Sequence, residues 1–233
     1  MADRYETALR RLGVVAVQLA LLACPSAHAE VVTRLPTADK VVALTFDGCE
    51  APGGPAWLDA RIVRVLEARK LPFTVFATGL FARRNRAELA RLSASPLVEV
   101  ENHSFDHPQH MQRLDPAAIV REVAEADRAI VEATGRMPKF FRFPAGNYDA
   151  ATLAAVEATG HTVVHWRFPS GDPARGLAPE RLRRWVVDQT RAGDILIFHI
   201  NGRAPATADA LPGIVAALEA RGLRFVRLDE VLK

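Results

Sequence analysis

The sequence predicts an α/β protein with a parallel sheet covered by helices, and two observations carry that reading. Seven short runs are apolar at nearly every position: Val41 to Phe46, Phe73 to Thr78, Leu97 to Val100, Phe140 to Phe143, Thr162 to Trp166, Ile195 to Phe198 and Leu223 to Leu228. Longer amphipathic stretches lie between them. Strands that are apolar throughout and separated by helices belong to parallel sheets with both faces covered. Seven such units suggest a barrel, with an open sheet as the alternative that periodicity leaves standing.

The elements follow in order along the chain. Arg10 and Arg11 precede an apolar stretch from Leu12 to Ala23, then Ala27-His28-Ala29 and Glu30, the pattern of a secretory signal peptide cut after Ala29. Residues 1–29 are therefore expected to be removed, leaving 30–233 as a single domain in a secreted or periplasmic protein. Leu21-Leu22-Ala23-Cys24 offers a second reading, a lipoprotein anchored through Cys24, which Leu22 and Pro25 fit poorly. No later stretch approaches the ~20 apolar residues of a spanning helix, so no transmembrane segment is expected in the mature chain. After the first strand, Leu58, Ile62, Val65 and Leu66 mark one helical face. Ile119, Val123, Ala126 and Ile130 mark another, opened by Asp115-Pro116 as cap and first-turn proline. Gly135, Gly160 and Gly222 stand where left-handed residues end helices.

Composition excludes more than it identifies. The full-chain charge of +3 becomes +2 without residues 1–29, which hold three arginines and two acids, and the basic residues are scattered among acidic ones. That gives no footprint for nucleic acid. With Cys24 removed, Cys49 has no partner for an internal disulfide.

Chemistry-bearing residues follow the strands: Asp47 the first, His103 and His107 the third, Arg142 and Pro144 the fourth, Asp172 the fifth, His199 the sixth. In a parallel β/α barrel those carboxyl ends meet at one mouth, where catalytic groups are found. The two imidazoles of Asn102-His103-Ser104-Phe105-Asp106-His107 are four apart, and a helical turn there would set both on one face to share a divalent ion. A metal ion lowers the pKa of water toward ~7 and polarises an amide carbonyl, while an imidazole can protonate a departing amine.

Thr45-Phe46-Asp47, His103-Ser104-x-x-His107, Arg142-x-Pro144-x-Gly146 and Leu196-x-x-His199 occur in this order. In them the chain resembles the polysaccharide deacetylases with a NodB-homology domain, the carbohydrate esterase family 4 type, from about Lys40 to Leu232. The resemblance implies a distorted (β/α)7 barrel and hydrolysis of N-acetyl groups on amino-sugar polymers with a divalent ion, zinc first, with nickel, cobalt or manganese as alternatives. It implies that His103 and His107 bind the metal, Asp47 is the general base, Arg142 orients that base and His199 is the general acid. Pro144, Trp166 and Leu196 would wall the acyl group, Asn201 would touch substrate, and the partner is an N-acetylated glycan.

Two departures from the family pattern stand out. Its usual Thr-Phe-Asp-Asp-Gly carries a metal ligand on the second Asp, whereas this chain runs Asp47-Gly48-Cys49-Glu50. The third ligand is expected from Asp47 or water, then Glu50, and last Cys49. The acid expected about three residues after Trp166 is Pro169, which leaves Asp172 to pair with His199. The Thr-Phe-Asp-x-Cys opening and His199-Ile200-Asn201-Gly202 look like a distinct branch. Bland readings stand beside these: Asp172 as a turn cap before Pro173, and His110, His161 and His165 as structural or surface residues. Cys49 as a hydrolase nucleophile with His199 as base would leave the histidine pair unexplained. Two other functions remain open, a carbohydrate-binding protein on a degenerate deacetylase fold and a hydrolase of a small amide or imide.

Overall fold

The computed structural model describes residues 30–233; the segment read as a signal peptide, Cys24 included, lies outside them. The elements run β1 (Val41–Gly48), α1 (Ala60–Ala68), β2 (Phe73–Ala77), α2 (Gly79–Arg84), α3 (Arg86–Ser93), β3 (Val98–Asn102), α4 (Pro116–Thr134), β4 (Phe140–Phe141), α5 (Ala150–Glu157), β5 (Thr162–Val163), α6 (Pro179–Gln189), β6 (Ile195–His199), α7 (Pro205–Ala220) and β7 (Arg224–Val226). All pairings between these strands are parallel, in the order β5-β4-β3-β2-β1-β6, with β7 on the first three residues of β1. The result is a distorted (β/α)7 barrel. No helix of the described residues is long and apolar enough to cross a membrane.

The barrel is distorted because two strands are short. The apolar runs at 140–143 and 162–166 form only two-residue strands. Pro144 has no N–H to continue the ladder and opens a 3-10 turn instead. After β5 the ladder passes to the N-terminal segment: Val32 N–H donates to Val163 O at 2.9 Å, and His165 N–H donates to Val32 O at 2.8 Å. Three residues on, Leu35 N–H donates to Gly193 O at 2.8 Å, just before β6. Residues 32–35 thus bridge β5 to β6 and close the gap in the sheet, a role that nothing in the sequence pattern announced.

Strand alternation sorts the side chains. Val42, Leu44 and Phe46 of β1 face outward into a core shared with Ile62 and Leu66 of α1 and with Leu211, Ile214 and Leu218 of α7. Val41 and Ala43 face inward with Phe76, Phe140, Val164, Ile195, Val226 and Leu228. Continuing the inward parity reaches Thr45 and Asp47 on β1, His103 just past β3, and Ile197 and His199 on β6. The helices begin where the sequence caps them: Asp59, Asp115 and Asp149 accept from Arg61, Ala118 and Thr152 N–H. Gly135 ends α4 at φ +72°, which an L side chain tolerates poorly.

Two acids also follow the inward parity of β3. Glu99 Oε2 accepts from the Thr74 hydroxyl at 2.6 Å and Leu228 N–H at 3.1 Å, while Glu99 Oε1 has no partner. Glu101 Oε2 accepts from Lys139 and Phe140 N–H at 2.7 and 2.6 Å, tying β3 to the start of β4. Burial pushes the Glu99 carboxyl up to about 7, with Asp229 adding to the rise against the Thr74 and Leu228 hydrogen bonds. Burial and the charge of Glu99 push Glu101 up as well. A carboxyl raised by folding holds its proton longer in the native state, so the protein loses stability as pH climbs from about 4.5 through about 7. Glu99→Gln should abolish about 3 kcal/mol of that loss, measured as urea unfolding free energies of both proteins at pH 4.5 and pH 8.

Candidate active site

Arg142 organises the carboxyl end of the barrel. Its backbone N–H donates to Asn102 O at 2.9 Å, which fixes the residue beside β3. The guanidinium is fully buried, lies 3.9 Å from the Phe76 ring centroid, and donates from Nη1 to Asp47 Oδ1 at 2.7 Å and from Nε to Val164 O at 3.2 Å. Burial alone would raise the Asp47 carboxyl, but the charges of Arg142, His103 and His199 and the Arg142 hydrogen bond outweigh it and hold Asp47 below the usual carboxylate range. Asp47 is therefore an anion at neutral pH.

His103 is oriented by the same residue. Its Nδ1 lies 2.8 Å from Arg142 O, and a carbonyl only accepts, so Nδ1 carries a proton. Nε2 then faces the pocket, 3.6 Å from Asp47 Oδ2, and is buried with no hydrogen-bond partner. Burial disfavours charge on this ring, yet Asp47 and Cys49 more than offset it and raise its pKa, so the spot attracts positive charge. His107 reaches the same place by a loop and not by the expected helical turn. Ser104 and His107 both adopt left-handed backbone, at φ +69° and +62°, which no helix accommodates. Asn102 Oδ1 accepts from Ser104 N–H at 2.8 Å and Ser104 Oγ from His107 N–H at 3.1 Å, and these bonds hold the strained turn. The two rings finish 5.0 Å apart.

The third member of this group is Cys49, which the sequence reading placed last. Ligand atoms of Cys49, His103 and His107 all lie within 4.8 Å of one another, as do those of Asp47, Cys49 and His199. Burial pushes the Cys49 thiol up, but the charge of His103 and the closeness of the His103, His107 and His199 imidazoles bring it well below its ordinary range. Glu50, ranked above it, is engaged elsewhere: its carboxylate takes the Arg84 guanidinium at 2.6 to 2.8 Å and Ala56 N–H at 3.2 Å. The signal that could have found Cys49 was its inward parity, two residues beyond Asp47 and one past the end of β1.

Across the pocket, His199 Nδ1 lies 2.8 Å from Asp172 Oδ1. Asp172 is fully buried, and its Oδ2 accepts from His199 N–H and from the Thr207 hydroxyl, both at 2.7 Å. That bonding exceeds what a turn cap before Pro173 requires. Burial disfavours the imidazolium, but Asp172 and Cys49 outweigh it and raise His199 well above its ordinary value. Nδ1 being occupied, Nε2 is the atom left for chemistry.

These groups floor a cavity of about 350 Å³. Its apolar wall comes from Trp166, Pro169, Ala145 and Ile197, with Arg203 at the rim. Three predicted wall or substrate residues are placed elsewhere. Leu196 packs in the outer core with Phe198, because it has the outward parity of β6, and Ile197 takes the inner position. Pro144 is buried and starts the turn that presents Ala145. Asn201 is buried and donates to Cys49 O at 2.6 Å, so it holds the loop after β1 instead of reaching into the cavity. Of the remaining histidines, His110 is exposed and His161 binds Asp127 at 3.1 Å. His165 stacks beneath Trp166, where burial and Arg142 pull it down to about 3 and keep it neutral.

A sequence model of the family described as polysaccharide deacetylase matches residues 34–173. A chitooligosaccharide deacetylase of Bradyrhizobium is 28% identical over 82% of this chain and 90% of its own length. Three longer curated relatives are matched over 31%, 52% and 47% of their lengths. Among solved structures, a family 4 carbohydrate esterase from Streptomyces lividans in complex with acetate is 31% identical with a TM-score of 0.68, over 81% of this chain and 93% of that one. A family 4 acetyl xylan esterase from Clostridium thermocellum in complex with a cobalt ion is 28% identical with a TM-score of 0.73, over 82% and 90%.

Removing one partner of a buried ion pair leaves the other charge uncompensated. Arg142→Met, similar in length but uncharged, should lower the unfolding free energy in urea by about 3–5 kcal/mol at neutral pH. Arg142→Lys should recover part of the loss, since it restores charge without the planar fork.

Proposed function

The chain belongs to the polysaccharide deacetylase family, and from that membership we propose that it is a metal-dependent hydrolase that removes N-acetyl groups from amino sugars of a cell-envelope or extracellular polysaccharide. The observation that carries this reading is the pairing of Asp47 and His199 side by side on the floor of one cavity. They sit opposite each other in the β1–β6 register, one set by Arg142 and the other by Asp172. Asp47, anionic and buried, takes the proton from an attacking water. His199 Nε2 delivers a proton to the amine as the carbon–nitrogen bond breaks, a step needed because an amine anion is a very poor leaving group. His103 and His107 are the residues that would hold a divalent ion, and the buried, unpartnered His103 Nε2 fits that use. When bound, such an ion supplies Lewis acidity that polarises the amide carbonyl and makes water more acidic. Zinc suits imidazole ligands, and cobalt, nickel and manganese are alternatives.

Trp166, Ala145 and Ile197 make the apolar wall for an acetyl group, and the face of Trp166 suits a sugar ring. A neighbouring hollow shares Ser170 and Gly171 with the cavity and adds Arg175, Arg181 and the half-exposed Trp185. That extension favours a glycan chain over a small amide or imide. The Bradyrhizobium relative is a chitooligosaccharide deacetylase, in keeping with such a substrate. The signal-like segment at 1–29 favours a secreted or periplasmic place of action.

The test is acetate release from chitooligosaccharides or peptidoglycan fragments by the full chain supplied with zinc or cobalt. Release should be lost in His103→Ala, and kcat should fall by about 100- to 10,000-fold in His199→Ala. Glycan binding without acetate release would overturn the hydrolase reading in favour of a binding protein.

A further inference from the structure

Building on the hydrolase reading above, we propose that the sulfur of Cys49 is the third protein ligand of the metal, completing a Cys49, His103 and His107 set. Their ligand atoms already lie within 4.8 Å of one another. His103 shows the mark of a ligating imidazole: one ring nitrogen donates to a backbone carbonyl while the other is buried, unpartnered and aimed at the cluster.

Each competing carboxylate already holds an arginine. Asp47 neutralises the buried Arg142, and Glu50 neutralises Arg84. Position 48, where the family motif puts its ligand carboxylate, has outward parity here. A Cβ built on Gly48 would fall 2.7 Å from the buried Phe81 ring, so a side chain there meets the outer core and not the cavity. The next residue takes over the task. The backbone of residues 47–49 is held in place: Thr78 N–H donates to Gly48 O at 3.1 Å, Asn201 Nδ2 to Cys49 O at 2.6 Å, and Ile200 N–H to Asp47 O at 3.1 Å. Asn201 is thus a positioning residue for the thiol.

Three protein ligands leave one tetrahedral position open, as catalytic zinc requires. A sulfur ligand also biases the site toward zinc or cobalt and away from magnesium or manganese. A Cys49 nucleophile served by His199 would leave the orphaned His103 Nε2 and the strained His107 without a task.

The experiment uses the full chain loaded with cobalt(II), then with zinc. The cobalt protein should bind one equivalent and show the near-ultraviolet charge-transfer absorption of a cobalt–thiolate bond. X-ray absorption of the zinc protein should show one sulfur at about 2.3 Å. Cys49→Ser should bind cobalt about 100-fold more weakly or worse, without the charge-transfer band. One equivalent of cobalt bound to the wild type with no such band would overturn the sulfur ligand and leave the hydrolase reading intact. A wild type that binds no cobalt and no zinc would overturn both.

Discussion

The buried Arg142–Asp47 pair is the constraint from which the site follows. A guanidinium with no solvent access must be neutralised, and Asp47 is the carboxylate that does so, at 2.7 Å. This single contact keeps Asp47 ionised and occupies Oδ1, leaving Oδ2 toward His103. The main chain of Arg142 contributes separately, since its carbonyl fixes the tautomer of His103 and its N–H extends the β3 ladder. One residue therefore orients both the buried carboxylate of Asp47 and the imidazole of His103.

Much of this was legible in the sequence, for a reason of geometry. Apolar runs separated by helices force a parallel sheet, and a parallel sheet gathers the residues after each strand at one rim. Asp47, His103, His107, Arg142, Asp172 and His199 were all found by that rule; all but Arg142 line one cavity, and Arg142 is buried against Asp47. The rule failed where side-chain parity decided the outcome. Leu196 was read from motif spacing, but counting by twos back from the inward-facing His199 reaches Ile197, and Leu196 belongs to the layer under the helices. Asn201 was near the rim in sequence, yet its amide is consumed by the Cys49 carbonyl, a contact between residues 152 positions apart. The bridging of β5 to β6 by residues 32–35 was illegible for the same reason: backbone hydrogen bonds carry no residue signature.

The loop that brings His107 to His103 shows where local preference was overridden. Two non-glycine residues in left-handed backbone work against the intrinsic preference of the chain, and the helical turn that the i, i+4 spacing suggested would have avoided them. The strain is held by two side chains from the start of the turn, Asn102 Oδ1 and Ser104 Oγ, and Asn102 is itself anchored through Nδ2 to Asp127 and Val123 O. Such a turn persists only when the surrounding structure over-determines it, and the most economical use for it here is the approach of two imidazoles to 5.0 Å.

Replacing a ligand carboxylate by a neighbouring thiolate conserves the formal charge of the site. Two neutral imidazoles and one anionic ligand give the same total in either case, and the Arg142–Asp47 pair beside them sums to zero. What changes is softness and direction. Sulfur holds zinc or cobalt through a more covalent bond and has little affinity for magnesium or manganese. It also enters from the residue after the end of β1, two positions beyond Asp47 on the same inward parity. On the proposed ligand set, the base and the ligand, which the usual family motif supplies from adjacent acids, are separated into the carboxylate of Asp47 and the sulfur of Cys49. Gly48 between them is the hinge of that division, since any larger residue would press on the buried ring of Phe81.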